Sequence, residues 1–320
     1  MAEFITFGET MLRLSAAGNQ RLEAAQSFEV HPGGAESNVA AALARLGKSA
    51  AWISRLPDNE LGRLTASRLR SYGIDLSGVS WSAAEQNERM GLYFVEFGAP
   101  PRPTRVRYDR ADSAFSHMQP AELPLEMIRA AKWLHLTGIT FGLLGNCTET
   151  ARVLLSEARR ADLIISFDVN YRAALWSPTT AGAALEPICE QAEVIFCALR
   201  DAVALFGMEN HLRRATAGLH ARFGKKVIVS NGSSGAAAMD AAGLVECPAF
   251  PVTIVDRVGA GDAFAAGVIC RLSEGASLLD ALRFGAAAAA LKLTTVGDIA
   301  LISRAEVEMV LRDNPPTLIR

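Results

Sequence analysis

Short apolar runs alternate along most of the chain with longer segments whose apolar residues recur at helical spacing. The apolar runs have the length of buried strands, as at Phe4 to Phe7, and the periodic segments have one apolar face, as at Glu36 to Leu46. The same pattern predicts further strands at 50–55, 133–136, 163–168, 194–196 and 227–230. It predicts further helices at 61–71, 147–160, 179–191, 201–206, 211–222, 278–293 and 304–311. This alternation predicts an α/β fold, with a parallel sheet and helices on both of its faces.

The alternation is interrupted between residues 86 and 113. Two strand-like runs, Gly91 to Phe97 and Arg105 to Asp109, follow each other there with only a proline-rich connection between them. Together with part of residues 9–32, they predict a small sheet separate from the main one. A surface hairpin without a role is the alternative, although long excursions of this kind often carry function. We therefore expect one domain over residues 1–320 with a small sheet attached.

The composition of the 320 residues narrows the functional class. Half of the residues are hydrophobic, which is enough for one large core, and the net charge of −2 disfavours nucleic-acid binding. Five cysteines without a Cys-x-x-Cys pair indicate buried thiols in a reducing compartment. No signal-peptide pattern precedes the first strand, and the longest apolar run, Phe284 to Leu291, is too short to cross a bilayer. We expect a cytoplasmic protein without a membrane or nucleic-acid partner, and the sequence leaves open whether it is a monomer or a homo-oligomer.

The stretch from Asp256 to Gly267 has the residue types of an anion-binding site. It reads Asp-Arg-Val-Gly-Ala-Gly-Asp-Ala-Phe-Ala-Ala-Gly, follows a β-branched run at 252–255 that predicts a strand, and opens a helix of small residues. Gly259, Ala260 and Gly261 have little or no side chain, so a ligand oxygen can approach their backbone N–H groups closely. Those groups lie at a helix N-terminus, where unpaired donors and the helix dipole favour an anion.

Asp262 places a carboxylate at the same point of the chain. A carboxylate beside an anion site is repelled by the anion unless it serves the chemistry there. The chemistry that fits is removal of a proton from a hydroxyl group that attacks a phosphate. The alternative is an ordinary helix start with an acidic residue in its first turn.

This stretch resembles the signature of the ribokinase-like (phosphofructokinase-B, PfkB) family of sugar kinases, Asp-Thr-x-Gly-Ala-Gly-Asp, with Arg257 in place of the threonine. A second family signature lies near the N-terminus, and His31 to Asn38, His-Pro-Gly-Gly-Ala-Glu-Ser-Asn, is similar to it. Two motifs in this order, about 220 residues apart, are more specific than either alone. The resemblance implies a ribokinase-like three-layer α/β domain whose small sheet, from parts of 9–32 and 86–113, is a lid over the substrate. It also implies ATP as the phosphoryl donor and Mg²⁺ as the metal.

The resemblance also assigns the nucleotide and metal side of the site. The implied ATP-binding residues are Asn231, Gly232, Gly235, Gly259, Gly261 and Ala286. A glycine turn required only for steric reasons is the alternative for 231–235. Family members often carry Asn where this chain has Ala286, so base recognition would rest on shape. For magnesium the family commonly has Asn-x-x-Glu, which is Ala198-Leu-Arg-Asp201 here, and capping of a helix is the alternative role for Asp201.

The substrate side resembles the 2-keto-3-deoxygluconate kinase branch of the family over essentially the whole chain. The shared motifs are Gly-Gly-Ala-Glu-x-Asn at 33–38, Gly-Leu-Tyr at 91–93, Tyr-x-Arg at 108–110, Leu-His-Leu-Thr-Gly-Ile at 134–139, Asp-Val-Asn-Tyr-Arg at 168–172 and Gly-Asp at 297–298. The implied substrate-binding residues are Gly33, Gly34, Asn38, Tyr93, Tyr108, Arg110, Ile139, Arg172 and Asp298. Catalysis would fall to Asp262 with Gly259, Ala260 and Gly261. The alternative for the two tyrosines is that they only pack within the small sheet. The alternative for Arg110 is that it is only a solvated charge.

Three functions follow from these residues. The first is an ATP-dependent kinase that converts 2-keto-3-deoxygluconate to its 6-phosphate, because an arginine in a closed sugar pocket implies a carboxylate on the ligand. The second is a neutral-sugar kinase of the same family, acting on fructose or ribose. The third is a family member that binds sugar or nucleotide without phosphorylating the sugar. The retained Asp262 argues against this third function.

Overall fold

The computed structural model describes residues 2–312, in which strands and helices alternate as the apolar pattern predicts. The strands are β1 (Phe4–Phe7), β2 (Met11–Ala16), β3 (Phe28–Gly33), β4 (Ala50–Leu56), β5 (Val79–Trp81), β6 (Leu92–Glu96), β7 (Arg105–Asp109), β8 (Trp133–Thr137), β9 (Ile164–Asp168), β10 (Val194–Ala198), β11 (Lys226–Ser230), β12 (Ala236–Asp240) and β13 (Gly243–Cys247). The α-helices are α1 (Ala35–Arg45), α2 (Glu60–Ser71), α3 (Leu125–Ala130), α4 (Gly138–Phe141), α5 (Cys147–Arg160), α6 (Pro178–Cys189), α7 (Leu199–Phe206), α8 (Leu212–Phe223), α9 (Ala260–Ser273), α10 (Leu278–Leu293) and α11 (Arg304–Val310).

The larger sheet has nine strands in the order β13-β12-β11-β10-β9-β8-β1-β4-β5. In this order, every pair of neighbouring strands between β11 and β5 is parallel. Strand β12 is antiparallel to both of its neighbours, β11 and β13. Both faces of the sheet are apolar, since Phe4 and Trp52 pack into one core and Ile5 and Ile53 into the other. A parallel sheet that is covered on both faces has this pattern.

Two helical layers cover the larger sheet. Helices α1, α2, α9, α10 and α11 contribute to the core on one face, and α3, α5, α6, α7 and α8 contribute to the core on the other. The predicted three-layer α/β fold is thereby confirmed. The five cysteines are free thiols and buried, as the composition predicts. Among the helices within residues 2–312, none combines the length and the apolar character that a membrane crossing needs.

The chain leaves the central strand β1 in two directions. Strands β4 and β5 lie on one side of it, and β8 to β13 lie on the other. In open α/β sheets such a change of direction leaves a crevice at the carboxyl ends of the strands, and ligands bind there. The expected crevice here lies between the ends of β1 and β8.

The smaller sheet has the order β3-β2-β6-β7 and is attached at this crevice. A short connection joins the carboxyl end of β1 to β2, and β3 leads directly into α1. Strands β6 and β7 come from the excursion between residues 86 and 113, from which the sequence predicts the small sheet. All five residues of the edge strand β7 are exposed.

One predicted strand is absent from the structure. Residues 252–255 form no strand, and Ile254 and Val255 are exposed. The backbone N–H groups of Val255 and Asp256 donate to the carbonyl of Leu293 at the end of α10, at 2.8 and 3.2 Å. The prediction of a strand before Gly-Ala-Gly-Asp is therefore wrong, because the partner of this segment is a helix end and β-branched composition does not reveal that.

Candidate active site

A cleft of about 570 Å³ lies between the small sheet and the carboxyl ends of the main-sheet strands. Its wall contains thirteen of the residues that the sequence assigns to a site. These are Gly33, Gly34, Asn38, Tyr93, Tyr108, Arg110, Ile139, Arg172, Asp201, Gly259, Gly261, Asp262 and Asp298. The fold thus gathers both motifs and the two arginines in one place.

The N-terminus of α9 borders open space in this cleft. Gly259, the residue before the helix, has a φ of 83°, a left-handed conformation that glycine adopts without strain. A Cβ atom at Gly259 would also collide with the carbonyl oxygen of Asp298. At Gly261, no atom lies within 4 Å of the place that a Cβ would take. The N–H of Ala260 donates to the carbonyl of Arg257 at 3.4 Å, and Ala260 does not line the cleft, so the catalytic role predicted for it stays a prediction. Because the first N–H groups of a helix lack intrahelical acceptors, the N–H of Gly261 on the cleft wall remains available for an anion.

Asp262 lies in the first turn of α9, on the wall of the cleft. Its Oδ2 accepts a hydrogen bond of 2.6 Å from Nδ2 of Asn38, a residue of α1. Burial raises the pKa of Asp262 to about 6, while the Asn38 hydrogen bond and the charge of Arg172 act to lower it. A carboxyl group with this pKa is mostly ionised at pH 7 and can still take a proton, as a general base must.

Two further carboxyl groups follow neighbouring strands on the same wall. Asp168 ends β9, and burial together with the charge of Asp262 raises its pKa to about 8. Asp201 lies in the first turn of α7, where burial raises its pKa as well. The positive charge of Arg172 acts to lower the pKa of all three carboxyl groups. This arrangement favours a cation, because three carboxyl groups face one arginine.

A cluster of buried charges supports the cleft from behind. Arg13 on β2 is fully buried, and its Nη1 lies 2.7 Å from Oδ2 of Asp256 and 2.9 Å from Oδ1 of Asp298. Tyr93 on β6 donates its hydroxyl to Oδ2 of Asp298. Both oxygens of Asp298 therefore have protein partners, and a substrate hydroxyl would share them.

The carboxylate of Asp256 joins the two loops that meet at the cleft. Its Oδ1 accepts the backbone N–H of Val258, and its Oδ2 accepts that of Gly297, both at 3.0 Å. Val258 leads into the N-terminus of α9, and Gly297 leads into Asp298. The positions of the N–H groups at the start of α9 and of Asp298 are therefore coupled.

The corner between β3 and α1 approaches the cleft so closely that two glycines are required. A Cβ on Gly33 would overlap the hydroxyl of Tyr93 and the carboxylate of Asp298. A Cβ on Gly34 would overlap the carbonyl oxygen of Glu9. The second motif is therefore fixed by packing within the protein, whatever contacts it makes to a ligand.

Arg110, just beyond β7, lies on the cleft wall but is paired with Glu9. Its Nε lies 2.9 Å from Oε2 of Glu9, and its Nη2 bonds to the same oxygen. Its guanidinium lies 5.9 Å from the ring centroid of Tyr108, which in turn lies 5.8 Å from the ring of Tyr93. The arginine that is predicted to receive a substrate carboxylate already has a carboxylate of the protein as a partner.

Glu36, on α1 within the second motif, is buried against the end of β8 and α4. Its Oε1 accepts hydrogen bonds from the hydroxyls of Thr137 at 2.7 Å and Thr140 at 3.1 Å, and burial raises its pKa to about 7. The Thr137 hydroxyl also accepts the N–H of Ile139 at 3.2 Å. These contacts fix the predicted substrate residue Ile139 relative to α1.

A second cavity of about 850 Å³ adjoins the cleft on the side of β7. The two spaces share wall residues, namely Val106, Tyr108, Arg110 and Arg172. The opposite wall of the second cavity is formed by Ala174 and Leu175 in the segment after β9. The cleft thus lies next to a space along the exposed edge strand.

Four predicted nucleotide residues do not line the cleft. Asn231 and Gly232 lie in an exposed turn beside Ser230, which does line it. Gly235 is buried directly before β12, and Ala286 packs partly against the core from α10. Phosphate binding by this turn and base recognition near Ala286 stay predictions.

Sequence reasoning missed several charged residues that hold or support the site. Glu9 and Glu36 line the cleft, while Arg13 and the equally buried Lys292 lie behind it. Arg13 stands among the apolar residues of a strand, and Lys292 among the alanines and leucines of α10. A lone charge in an apolar segment is the available signal, but the sequence does not say which partner compensates it.

Comparison with known proteins assigns the chain to a family. Residues 1–305 match the pfkB family carbohydrate kinases. The 2-dehydro-3-deoxygalactonokinase of Haloferax volcanii is 42% identical over 312 residues, which is 97% of each chain. The crystal structure of 2-dehydro-3-deoxygluconokinase from Thermotoga maritima gives a TM-score of 0.91 at 32% identity, over 96% of this chain and 98% of that one. Fructokinase-1 of rice, Oryza sativa subsp. japonica, is 32% identical over 307 residues, 92% of this chain and 93% of its own.

The family match includes both sequence motifs and leaves only the last residues of the chain outside it. The sequence similarity and the agreement in fold each extend over nearly the whole of both chains. The family that the two motifs predict is thereby confirmed. This chain belongs to the pfkB family of carbohydrate kinases.

Proposed function

We propose that this carbohydrate kinase transfers the γ-phosphoryl group of ATP to 2-keto-3-deoxygluconate and gives the 6-phosphate. The observation that carries the proposal is the position of Asp262, whose carboxylate shares one cleft with the glycines at the N-terminus of α9. Relatives that act on a gluconate and on a galactonate support a 2-keto-3-deoxy sugar acid as the substrate, since "2-dehydro" denotes the same 2-keto group. The two acids are epimers that differ at one hydroxyl.

Asp262 acts as the general base in this proposal. Its carboxylate takes the proton from the terminal hydroxyl of the sugar acid as that oxygen attacks the γ-phosphorus. The bond from the γ-phosphorus to the bridging oxygen breaks, and ADP leaves with the electron pair. Asn38 holds Oδ2 of Asp262, which leaves Oδ1 for the hydroxyl.

The backbone N–H groups at the start of α9 would stabilise the phosphoryl group. These donors lie in a fixed loop, so little reorganisation is needed when negative charge develops on the transferred group. The rest of the nucleotide would extend past Ser230 toward the turn at 231–235. The fit requires no side chain at Gly261, where the structure has open space.

The residues of the cleft suit a magnesium ion that the nucleotide brings with it. Within residues 2–312, no three His, Cys, Asp or Glu side chains converge to ligate an ion directly. Magnesium commonly keeps several waters and binds through one or two carboxylates and the phosphates of the substrate. Asp201, with Asp168 nearby, would orient those waters. When it is bound, Mg²⁺ would neutralise negative charge on the phosphates.

The arginines of the cleft would bind the carboxylate of an acidic substrate. Arg172 donates to the carbonyl of Tyr171 and, within residues 2–312, has no ion-pair partner. Arg110 uses Nε and Nη2 to bind Glu9, which leaves Nη1 for a ligand carboxylate. An arginine can bind a carboxylate through more than one hydrogen bond, and such bonds are strong because both groups are charged.

Phosphorylation of a neutral sugar is the second candidate. One observation favours it: Glu9 already neutralises Arg110, so this part of the wall does not require an acid. The fructokinase among the relatives agrees with it. A protein that only binds ligands is disfavoured, because it would have no use for a buried carboxylate beside an anion site.

Asp262→Asn is expected to lower kcat by about 10²–10⁴-fold while ATP binding stays nearly unchanged. The amide keeps the shape of the side chain but cannot take a proton. A coupled kinase assay and calorimetric titration with ATP measure the two effects. Asp280→Asn is the matched control, since Asp280 occupies the same position in the first turn of α10. A folded Asp262→Asn variant with near-normal kcat would place the base elsewhere.

The activity should fall as the pH drops through about 6, because protonated Asp262 cannot act as a base. In Asn38→Ala the ionised form loses a hydrogen bond, so the pKa of Asp262 should rise by roughly one unit or more. NMR titration of the Asp262 carboxyl group in the sugar-free protein measures this, with Asn59→Ala at the start of α2 as control. An unchanged or lower pKa in Asn38→Ala contradicts the assignment.

Arg110→Ala is expected to raise KM for the sugar acid by about ten- to a hundredfold, which corresponds to one charge-assisted hydrogen bond. KM for ATP and for fructose should change little. Arg89→Ala is the control, since Arg89 pairs with Asp109 at the same end of β7 but outside the cleft. The wild-type enzyme should prefer 2-keto-3-deoxygluconate or its galactonate epimer to fructose and ribose. A preference for the neutral sugars, or equal effects of Arg110→Ala on both classes, supports the second candidate.

The small sheet is expected to act as a lid that excludes water from the phosphoryl group. Amide hydrogen exchange in β6 and β7 should slow when the sugar acid binds. The effect should be larger in β7, because β7 is exposed and β6 is already tied to Asp298 through Tyr93. Strands β12 and β13 serve as an internal reference. Unchanged exchange in β7 at saturating ligand would count against a lid.

A further inference from the structure

Lys292, in the last turn of α10, is a charged residue with no exposed surface. Its Nζ donates to two backbone carbonyls, that of Asp256 at 3.3 Å and that of Thr295 at 3.1 Å. Burial acts to lower its pKa, and the nearby charges of Asp256 and Asp298 act to raise it. An ammonium group without water is costly unless charges and acceptors compensate it, so both carbonyls are part of its stabilisation.

The two carbonyls belong to the two loops that form the base of the cleft. Asp256 lies in the loop that ends at the N-terminus of α9, and Thr295 lies in the loop that leads from α10 to Asp298. The end of α10 also accepts the N–H groups of Val255 and Asp256 at the carbonyl of Leu293. The ammonium of Lys292 therefore lies where the end of α10 is hydrogen-bonded to the loop that leads to the N-terminus of α9.

We propose that Lys292 is a positioning residue of the kinase, whose ammonium acts as an internal cation between the Asp256 and Thr295 carbonyls. By holding them it fixes the junction between the loop and α9 that carries the N–H groups of Gly259 to Gly261. The inference rests on the proposed role of those groups in binding the phosphoryl group. Lys292 itself does not line the cleft and touches no reacting atom.

The chemistry of the site indicates a cation in particular. Two carbonyl oxygens that converge on one buried point need a positive charge or hydrogen-bond donors there, and an apolar side chain would leave both unpaired. An ammonium ion or a potassium ion of similar size can satisfy the same oxygens. If the side chain of Lys292 is shortened, a small cation should be able to replace its ammonium.

The competing explanation for the buried Lys292 is that it only balances the negative charges of nearby carboxylates. Arg13 and Lys292 carry two positive charges, and Asp256 and Asp298 carry two negative ones. In that case Lys292 would affect the stability of the folded protein but not the rate of the folded enzyme. The two explanations therefore differ in kcat.

The test is chemical rescue of Lys292→Ala in the full chain, at constant ionic strength and pH. We expect kcat to fall about ten- to a hundredfold, as for loss of a charge-assisted hydrogen bond. Ammonium or potassium chloride should restore kcat several-fold, whereas tetramethylammonium chloride, whose cation is too large, should not. Lys292→Met should lose the same activity without rescue, because its side chain fills the space. The exposed Lys132→Ala is the control and should resemble the wild type in all salts.

Several results would overturn the proposal. One such result is that the Lys292→Ala and Lys292→Met variants fold and have the same kcat as the wild type. Another is a cation that restores the urea midpoint of Lys292→Ala without moving kcat, which indicates charge balance alone. If neither variant folds, the wild type decides: activation by potassium at constant ionic strength means that the lysine does not supply the cation. The assay uses whichever sugar the wild type phosphorylates best, so an error about the sugar acid leaves this test intact.

Discussion

The site depends on the ion pair between Arg13 and Asp256, both of which are almost completely buried. The Asp256 carboxylate joins the small sheet, through Arg13 on β2, to the loop before α9 and to the loop before Asp298. Removal of one partner would leave the other as an uncompensated buried charge, which typically costs about 3–5 kcal/mol. The positions of the N–H groups at the start of α9 and of Asp298 thus depend on one carboxylate that does not itself line the cleft.

The sequence contains enough information to predict the fold and thirteen of the residues that line the cleft. Apolar periodicity gives the alternation of strands and helices because side chains in a covered parallel sheet must be apolar on both faces. The motif around Asp262 is local, so its residues remain neighbours in any fold. The residues of the small sheet could be assigned through resemblance, and Tyr93, Tyr108 and Arg110 do lie on the cleft wall.

The pairing of charges could not be predicted in this way. Arg13 and Asp298 are 285 positions apart, and Arg110 and Glu9 are 101 apart. Periodicity reports which face a residue occupies but not which distant residue lies opposite to it. The same limit explains the error at 252–255, where the backbone bonds to the end of a helix. Arg110 shows why this matters for function, because its partner changes what the arginine can offer a ligand.

The anchoring of the small sheet has a consequence for substrate traffic. Strand β2 is tied to the main domain through Arg13, and β6 is tied to it through Tyr93, both by way of Asp298. A swing of the whole sheet as a rigid flap would have to break these buried bonds. The edge strand β7 has no such anchor to Asp298 and borders the second cavity, which shares wall residues with the cleft. Strand β7 is therefore the part of the small sheet that can move without breaking these bonds, so a ligand would enter on that side of the cleft, beside Arg110 and Arg172.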